Sequence, residues 1–161
     1  RAAAQQVRQE HVMTIGIMAA SDIPDEFYYQ CGAMSNNVLL RGAQQQRAWV
    51  CAGALALAKP GTITLELALM RVPAVIGYRA PWLTYQVAKR LIQVSTLVLP
   101  TLLTGQCVYQ ECLQGYCAPS HLALILTQTL KKIEYYAHAA RIQQQQLHKL
   151  FLKMPMHECA N

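Results

Sequence analysis

Short, almost wholly apolar runs alternate with longer mixed segments along this chain. The apolar runs predict strands at residues 11–20, 37–41, 54–58, 73–78 and 97–99. The mixed segments predict helices that begin at Pro24 and that cover residues 44–51, 62–70, 82–94, 119–136 and 137–153. Strands that are apolar throughout are typical of parallel sheets covered on both faces. The order therefore predicts an α/β, Rossmann-like fold with helices on both faces of a parallel sheet.

The turn between the third strand and the helix at 62–70 carries the most informative residues. Gly61 and Thr62 there would leave free backbone N–H groups at the positive end of a helix, which suits a phosphate. Glu66 follows Thr62 by four residues, about 6 Å along the axis at roughly 1.5 Å per residue, so both lie on one helix face. Its carboxylate can accept hydrogen bonds from a ribose diol. The pattern indicates a nucleotide or nucleotide-sugar site, and the alternative is an ordinary capped turn with Glu66 solvated or paired with Arg79.

Composition narrows the class of protein. The chain has 161 residues, 53% of them hydrophobic, which suits one domain with a sizeable core. The net charge of +6 favours an anionic ligand or an anionic membrane surface. No basic-aromatic motif of a nucleic-acid reader is present, so no nucleic-acid partner is predicted. No uncharged apolar stretch of about 20 residues predicts a spanning helix, and the N-terminus lacks a signal-peptide apolar region.

The cysteines predict no metal site. They stand at positions 31, 51, 107, 112, 117 and 159, and no pair has the two-residue spacing of a zinc knuckle. The five histidines are scattered. Free, partly buried thiols in a reducing cytosol are the favoured interpretation.

Several short motifs resemble one family in order and spacing. They are GTITLELAL at 61–69, VPAVIGYR at 72–79, LTY at 83–85, AKRL at 88–91, LPTLLTG at 99–105 and ECLQ at 111–114. Together they resemble lipid-A-disaccharide synthase, most strongly over residues 52–114. The resemblance implies the C-terminal, donor-binding domain of a two-domain, GT-B type glycosyltransferase. That domain would cover residues 1–136, without its first strand and Gly-Ser-Arg loop, and residues 137–161 would form a C-terminal helical tail.

The resemblance also implies a reaction. The family transfers a diacylglucosamine from UDP to a diacylglucosamine 1-phosphate, so the expected partners are UDP-2,3-diacylglucosamine and acyl sugars of the lipid X type. No cofactor and no metal are expected, and protein groups would stabilise the leaving diphosphate. The expected base lies on the missing N-terminal domain, so this part alone is expected to be inactive. The expected location is cytoplasmic, either free or peripheral on the inner membrane, and a homo-oligomer is left open.

Six residues are the candidates for the site. By resemblance, Gly61, Thr62, Glu66, Arg79 and Glu111 would bind the UDP-sugar, and Thr101 is the one weak catalytic candidate. For Thr101 and Glu111 the alternative is that they hold a loop together, and for Arg79 the alternative is a salt bridge. The helix at 82–94 carries Trp82 near Lys89 and Arg90, which fits either a core helix with a basic outer face or a membrane contact.

Three departures from the family pattern affect the interpretation. Pro60 stands where the family usually has Ser and removes one N–H. Thr101 stands for the usual Asn, and Gln106-Cys107 for the usual Arg-Glu, which removes a cation. We expect all three to face the active centre. They keep two rivals open: another UDP-sugar glycosyltransferase of this architecture, and a decayed, non-catalytic interaction domain.

Overall fold

A computed structural model describes residues 2–20, 22–30, 37–81 and 96–153 of the protein. The first half of the chain contains α1 (Ala2–Glu10), β1 (Ile15–Met18), α2 (Asp25–Gln30), β2 (Asn37–Leu40), α3 (Ala43–Ala52), β3 (Ala56–Ala58), α4 (Thr62–Leu69) and β4 (Ala74–Tyr78). The second half contains α5 (Leu99–Thr104), β5 (Gln110–Leu113), a 3₁₀ turn (Gln114–Cys117), α6 (Pro119–Lys131) and α7 (Ile133–Lys153).

All described strand pairs are parallel. β3, β4 and β5 form one sheet in that order, with Ile76 of β4 opposite Ala58 on one side and Glu111 on the other. β1 and β2 form a separate pair in which Ile15 lies opposite Asn37. Helices connect successive strands, as parallel pairing requires. The predicted Rossmann-like α/β class is confirmed.

Strand β4 is covered on both faces because its residues alternate between two clusters. Ala74 and Ile76 pack into the first cluster with residues of α4 and α7, of which Leu67, Ala68, Ala140 and Leu147 are buried. Val75 packs into the second cluster on the other face, with Cys112 and with residues of α1 and α6. The helices of α1 and α6 also contact each other. Two layers of helix therefore enclose the three-stranded sheet.

The predicted strand at 97–99 is wrong, because Leu99 begins helix α5. Pro100 occupies the first turn of α5, where its fixed φ suits a helix start, and Gly105 ends the helix with φ 70°. The apolar letters alone did not distinguish a short buried helix from a strand. Helix α1 and strand β5 were not predicted. The other predicted strands and helices are present where the structure describes them, and the helix at 82–94 lies outside the described residues.

The last helix belongs to the core. We predicted a break between residues 136 and 137, whereas α7 begins at Ile133 and runs unbroken to Lys153. Leu147, near its end, is fully buried against the first cluster. Gln143, also fully buried, donates from Nε2 to the carbonyl of Gln106 at 3.0 Å and to Thr104 Oγ1 at 3.2 Å. Helix α7 thus supports α5 and the sheet. Within the described ranges, no helix has the length and apolarity needed to cross a membrane.

Truncating Leu147 tests this role of α7. Leu147→Ala should lower the free energy of unfolding by about 2–5 kcal/mol, since it leaves a cavity in a packed cluster. Leu150→Ala, on the same helix at 39% exposure, is the matched control and should cost less than about 1 kcal/mol. Urea denaturation followed by circular dichroism measures both. Equal losses for the two variants would contradict the packing described for α7.

Candidate functional site

The carboxyl ends of β3, β4 and β5 meet at one edge of the sheet. Gly61 and the start of α4 follow β3, Arg79 follows β4, and the Gln114–Cys117 turn follows β5. Ligands of parallel α/β sheets bind beyond this edge. The fold therefore places three of the predicted site residues, Gly61, Thr62 and Arg79, at the edge where a ligand is expected.

Gly61 has a backbone conformation that favours glycine strongly. Its φ of 145° and ψ of −165° lie in a region that side chains essentially exclude. Among the described residues, and apart from Gly61 and its two chain neighbours, no heavy atom lies within 4 Å of where its Cβ would be, so the space over the turn is open there. The Gly61 carbonyl accepts from Thr64 N at 3.1 Å and from Thr64 Oγ1 at 2.7 Å, and no side chain caps the helix. The N–H groups of Thr62 and Ile63 are consequently left without a partner inside the helix.

Thr62 and Glu66 lie on the outer face of α4. Both residues are exposed, whereas Thr64, Leu67 and Ala68 of the same helix are buried. The expectation that Thr62 and Glu66 share one face agrees with this burial. Their side chains are therefore available to a ligand seated on the helix end.

Arg79 is exposed at the carboxyl end of the neighbouring strand. Among the residues that the structure describes, the ion pair found joins Arg41 and Asp25, and none joins Arg79 to Glu66. The side chains of Glu66 and Arg79 thus do not form the salt bridge that was the alternative. With no ion pair to another described residue, the guanidinium can face an anion at the edge.

Glu111 holds a loop. Its carboxylate accepts from Thr96 Oγ1 and, at 3.2 Å, from the backbone N–H of Leu97. Thr96 Oγ1 in turn accepts from Val98 N at 3.0 Å, which fixes the chain just before α5. These contacts agree with the loop-holding alternative for Glu111, and its role toward a donor sugar stays a prediction. Thr96 was missed because its partner lies 15 residues away, a contact that no local pattern reveals.

Thr101 points inward. Its side chain is only 5% exposed, and its buried Oγ1 has no hydrogen-bond partner among the described residues. Its catalytic role stays a prediction.

The three sequence departures do not form one cluster. Pro60 lies in the turn before α4, at the carboxyl edge of the sheet. Gln106 and Cys107 lie between the end of α5 and the start of β5, and so at the opposite, amino edge. Our expectation that all three face one centre is therefore wrong for Gln106-Cys107, because the helix α5 carries the chain away from the ligand edge.

The turn after β5 contains Gln114, which was named from the sequence only as part of the ECLQ motif. Gln114 has a φ of 53°, which is uncommon for a residue with a side chain. Two residues before it, burial and the neighbouring Cys117 raise the pKa of the Cys112 thiol, and Cys117 Sγ contacts the Cys112 carbonyl at 2.7 Å. A raised pKa keeps the Cys112 thiol protonated, so Cys112 itself does not offer a thiolate.

Comparison with known proteins gives one consistent family. The model of the lipid-A-disaccharide synthetase family matches residues 2–161. Lipid-A-disaccharide synthase of Ruegeria pomeroyi is 40% identical over 83 residues, which are 52% of this chain and 21% of the relative. The enzymes of that name from Paraburkholderia phymatum and Burkholderia mallei are 43% and 42% identical over 84 and 89 residues, covering 52% and 55% of this chain.

The aligned part spans only about a fifth of the length of these curated relatives, 21% to 23%. The match of the family model is nevertheless continuous over almost the whole chain, including the turn at Gly61 and the end of β4. This chain belongs to the lipid-A-disaccharide synthetase family.

Proposed function

We propose that this chain is the donor-binding part of a glycosyltransferase that transfers a diacylglucosamine from UDP to a diacylglucosamine 1-phosphate. The observation that carries the proposal is the open Gly61 turn at the ligand edge of the sheet in a member of this family. The acceptor site and the base would belong to a further domain, so the chain by itself should bind the donor weakly and not turn over.

The diphosphate would lie over the first turn of α4. The N–H groups of Thr62 and Ile63 and the positive helix end favour negative charge there. A residue with a Cβ at position 61 would enter the space that the phosphate needs, and Gly61 keeps that space open. Pro60 contributes no N–H, so the turn has one donor fewer than a Ser at that position would give.

Glu66 and Arg79 would fix the two ends of the nucleotide. The exposed Glu66 carboxylate, one helical turn beyond Thr62, would accept hydrogen bonds from the ribose diol. The exposed Arg79 guanidinium would neutralise phosphate charge from the neighbouring strand end. Charged hydrogen bonds of this kind contribute about 1.5–3 kcal/mol each.

A decayed, non-catalytic domain is the rival that a specific observation favours. Pro60 removes a donor at the turn, and the hydroxyl of Thr101 is buried where the family usually carries an amide. A donor-binding domain and a decayed domain would share the same fold, so nucleotide binding is the property that distinguishes them. A domain that had lost its function should not bind UDP through the exposed Glu66 and Arg79.

UDP binding is the direct test. Isothermal titration calorimetry with UDP should give a dissociation constant in the millimolar range or below, and UDP should raise the thermal midpoint. UMP is the matched comparison, since it lacks the β-phosphate, and it should bind more weakly. No heat and no thermal shift at millimolar UDP would remove the proposal.

Glu66→Ala and Glu111→Ala should separate ligand binding from loop support. Glu66→Ala should weaken UDP binding about tenfold or more while changing the free energy of unfolding by less than about 0.5 kcal/mol, because the side chain is exposed. Glu111→Ala should lower the free energy of unfolding by about 1–3 kcal/mol, because Thr96 and Leu97 lose their acceptor. Calorimetry and urea denaturation measure the two effects. Equal weakening of UDP binding by both variants would contradict the ribose assignment.

Gly61→Ala should damage both the turn and the site. Alanine in this backbone region costs about 1–3 kcal/mol of strain. Gly105→Ala is the control, because Gly105 also has a positive φ and open space at its Cβ but lies at the amino edge of the sheet. Both variants should be less stable in urea, and only Gly61→Ala should also weaken UDP binding. Unchanged UDP affinity in folded Gly61→Ala would show that the phosphate lies elsewhere.

A further inference from the structure

A cavity of about 360 Å³ lies at the amino edge of the three-stranded sheet. The start of β5, the last turns of α6 and the first turn of α7 surround it. A cavity of this volume is large enough for a small organic molecule. The turn at Gly61 lies at the opposite, carboxyl edge, so a ligand in this cavity would not occupy the site proposed for UDP.

The break between α6 and α7 brings two neighbouring lysines to this cavity. Lys131 is the last residue of α6 and Ile133 is the first of α7. Lys132, between them, has a φ of −116° and a ψ of 28°, which lie away from helical values. Neighbouring residues of a straight helix point about 100° apart. Because the chain leaves the helix at Lys132, both lysines line the same cavity.

Helix α6 contributes both apolar and polar groups to the wall of the cavity. Ile125, Gln128 and Thr129 lie on the face of the helix that leads to Lys132. Thr129 is 2% exposed, and its Oγ1 donates to the carbonyl of Ile125 at 2.8 Å, so its hydroxyl hydrogen is already used. Ile125 thus offers apolar contact to an organic group, and the exposed Gln128 side chain offers an amide donor.

Tyr136 adds a donor without charge. Gln110 Nε2, at the start of β5, donates to Tyr136 Oη on α7 at 2.7 Å, which fixes the position of the phenol. Because Oη is the acceptor of this bond, the hydroxyl hydrogen of Tyr136 can donate to a ligand. The side chains that can donate into the cavity are therefore those of Gln128, Lys131, Lys132 and Tyr136.

The charge of the cavity is positive. Its described lining residues include no acid, and within the described ranges neither Lys131 nor Lys132 forms an ion pair. Glu134, the nearest acid along the chain, is exposed and does not line the cavity. Two neighbouring ammonium groups repel each other, and an anion between them removes that repulsion. The negative end of α6 also favours lysines, but it does not explain a cavity that has further donors.

We propose that this cavity is a second anion site, which binds the phosphate group of an organic phosphate monoester. The phosphate oxygens accept from the two lysines and from the hydroxyl of Tyr136, and the organic group packs on Ile125. The ester is either a soluble small molecule or the headgroup of a lipid. The site does not depend on the Gly61 turn, so loss of UDP binding and loss of this binding are separate outcomes.

A titration with glycerol 3-phosphate, followed in ¹H–¹⁵N spectra of the labelled whole chain, tests where the phosphate binds. Saturating shifts, with a dissociation constant in the millimolar range or below, are expected at the backbone amides of Gln128, Lys131, Lys132 and Tyr136. Glycerol at the same concentrations and ionic strength is the matched comparison and should cause no such shifts. Shifts that do not saturate, or that fall only at Gly61 and Thr62, would overturn the proposal.

Substitutions separate a built site from general attraction to surface charge. Lys131→Gln and Lys132→Gln should each weaken binding of glycerol 3-phosphate about threefold or more. Lys149→Gln removes the same charge from an exposed position further along α7 and should change the affinity less than about twofold. Tyr136→Phe removes a donor but no charge and should also weaken binding about threefold. Equal effects of the three lysine variants, with none of Tyr136→Phe, would contradict the proposal.

Vesicles distinguish the two sources of the phosphate group. The chain is sedimented with phosphatidylcholine vesicles that contain phosphatidic acid, and with phosphatidylcholine vesicles alone. Sedimentation that requires phosphatidic acid and is lost in Lys131→Gln and Lys132→Gln would assign the site to a lipid headgroup. Binding of glycerol 3-phosphate without such sedimentation would assign it to a soluble ester. If neither glycerol 3-phosphate nor phosphatidic acid binds, the proposal is wrong.

Discussion

The burial of β4 between two helical layers is the constraint on which the rest of this structure depends. Val75 and Ile76 are fully buried and point to opposite faces, so each face needs its own cover. Helices α4 and α7 provide it on one face, and α1 and α6 on the other. Because these helices connect parallel strands, their ends and the strand ends are brought to common edges. The carboxyl edge, where a ligand is expected, therefore results from the way the helices cover β4.

The two edges of the sheet differ in what their polar groups contact. At the carboxyl edge, Gly61 opens a turn and Arg79 stays unpaired among the described residues, so polar groups face outward. At the amino edge, Gln143 is buried and ties α7 to the end of α5. Glu111, within β5, is used to hold the chain before α5. The Glu111 carboxylate thus stabilises the chain before α5, whereas the exposed Glu66 carboxylate is available to a ligand.

Most of the fold could be predicted from local pattern, and the part that could not depends on long-range contact. The strands at 37–41, 54–58 and 73–78 could be predicted because apolar runs bounded by turns have few other interpretations. The run at 97–99 was predicted wrongly as a strand. Pro100 and Gly105 mark the start and the end of α5, but they indicate a helix only when it is known that the chain forms one there. In the site, the turn at Gly61 could be predicted from its place between a strand and a helix. The Thr96–Glu111 contact and the burial of Thr101 could not, since both depend on how α5 packs.

We propose that the Gly61 turn and the end of β4 bind the diphosphate of a UDP-sugar. Two-dimensional ¹H–¹⁵N spectra of the labelled chain, recorded during a UDP titration, test it most directly. If the diphosphate lies there, the largest shifts fall on the amides of Gly61, Thr62, Ile63 and Arg79, with little change at Gly105. Shifts that avoid these four amides and fall instead at the amino edge of the sheet would contradict it.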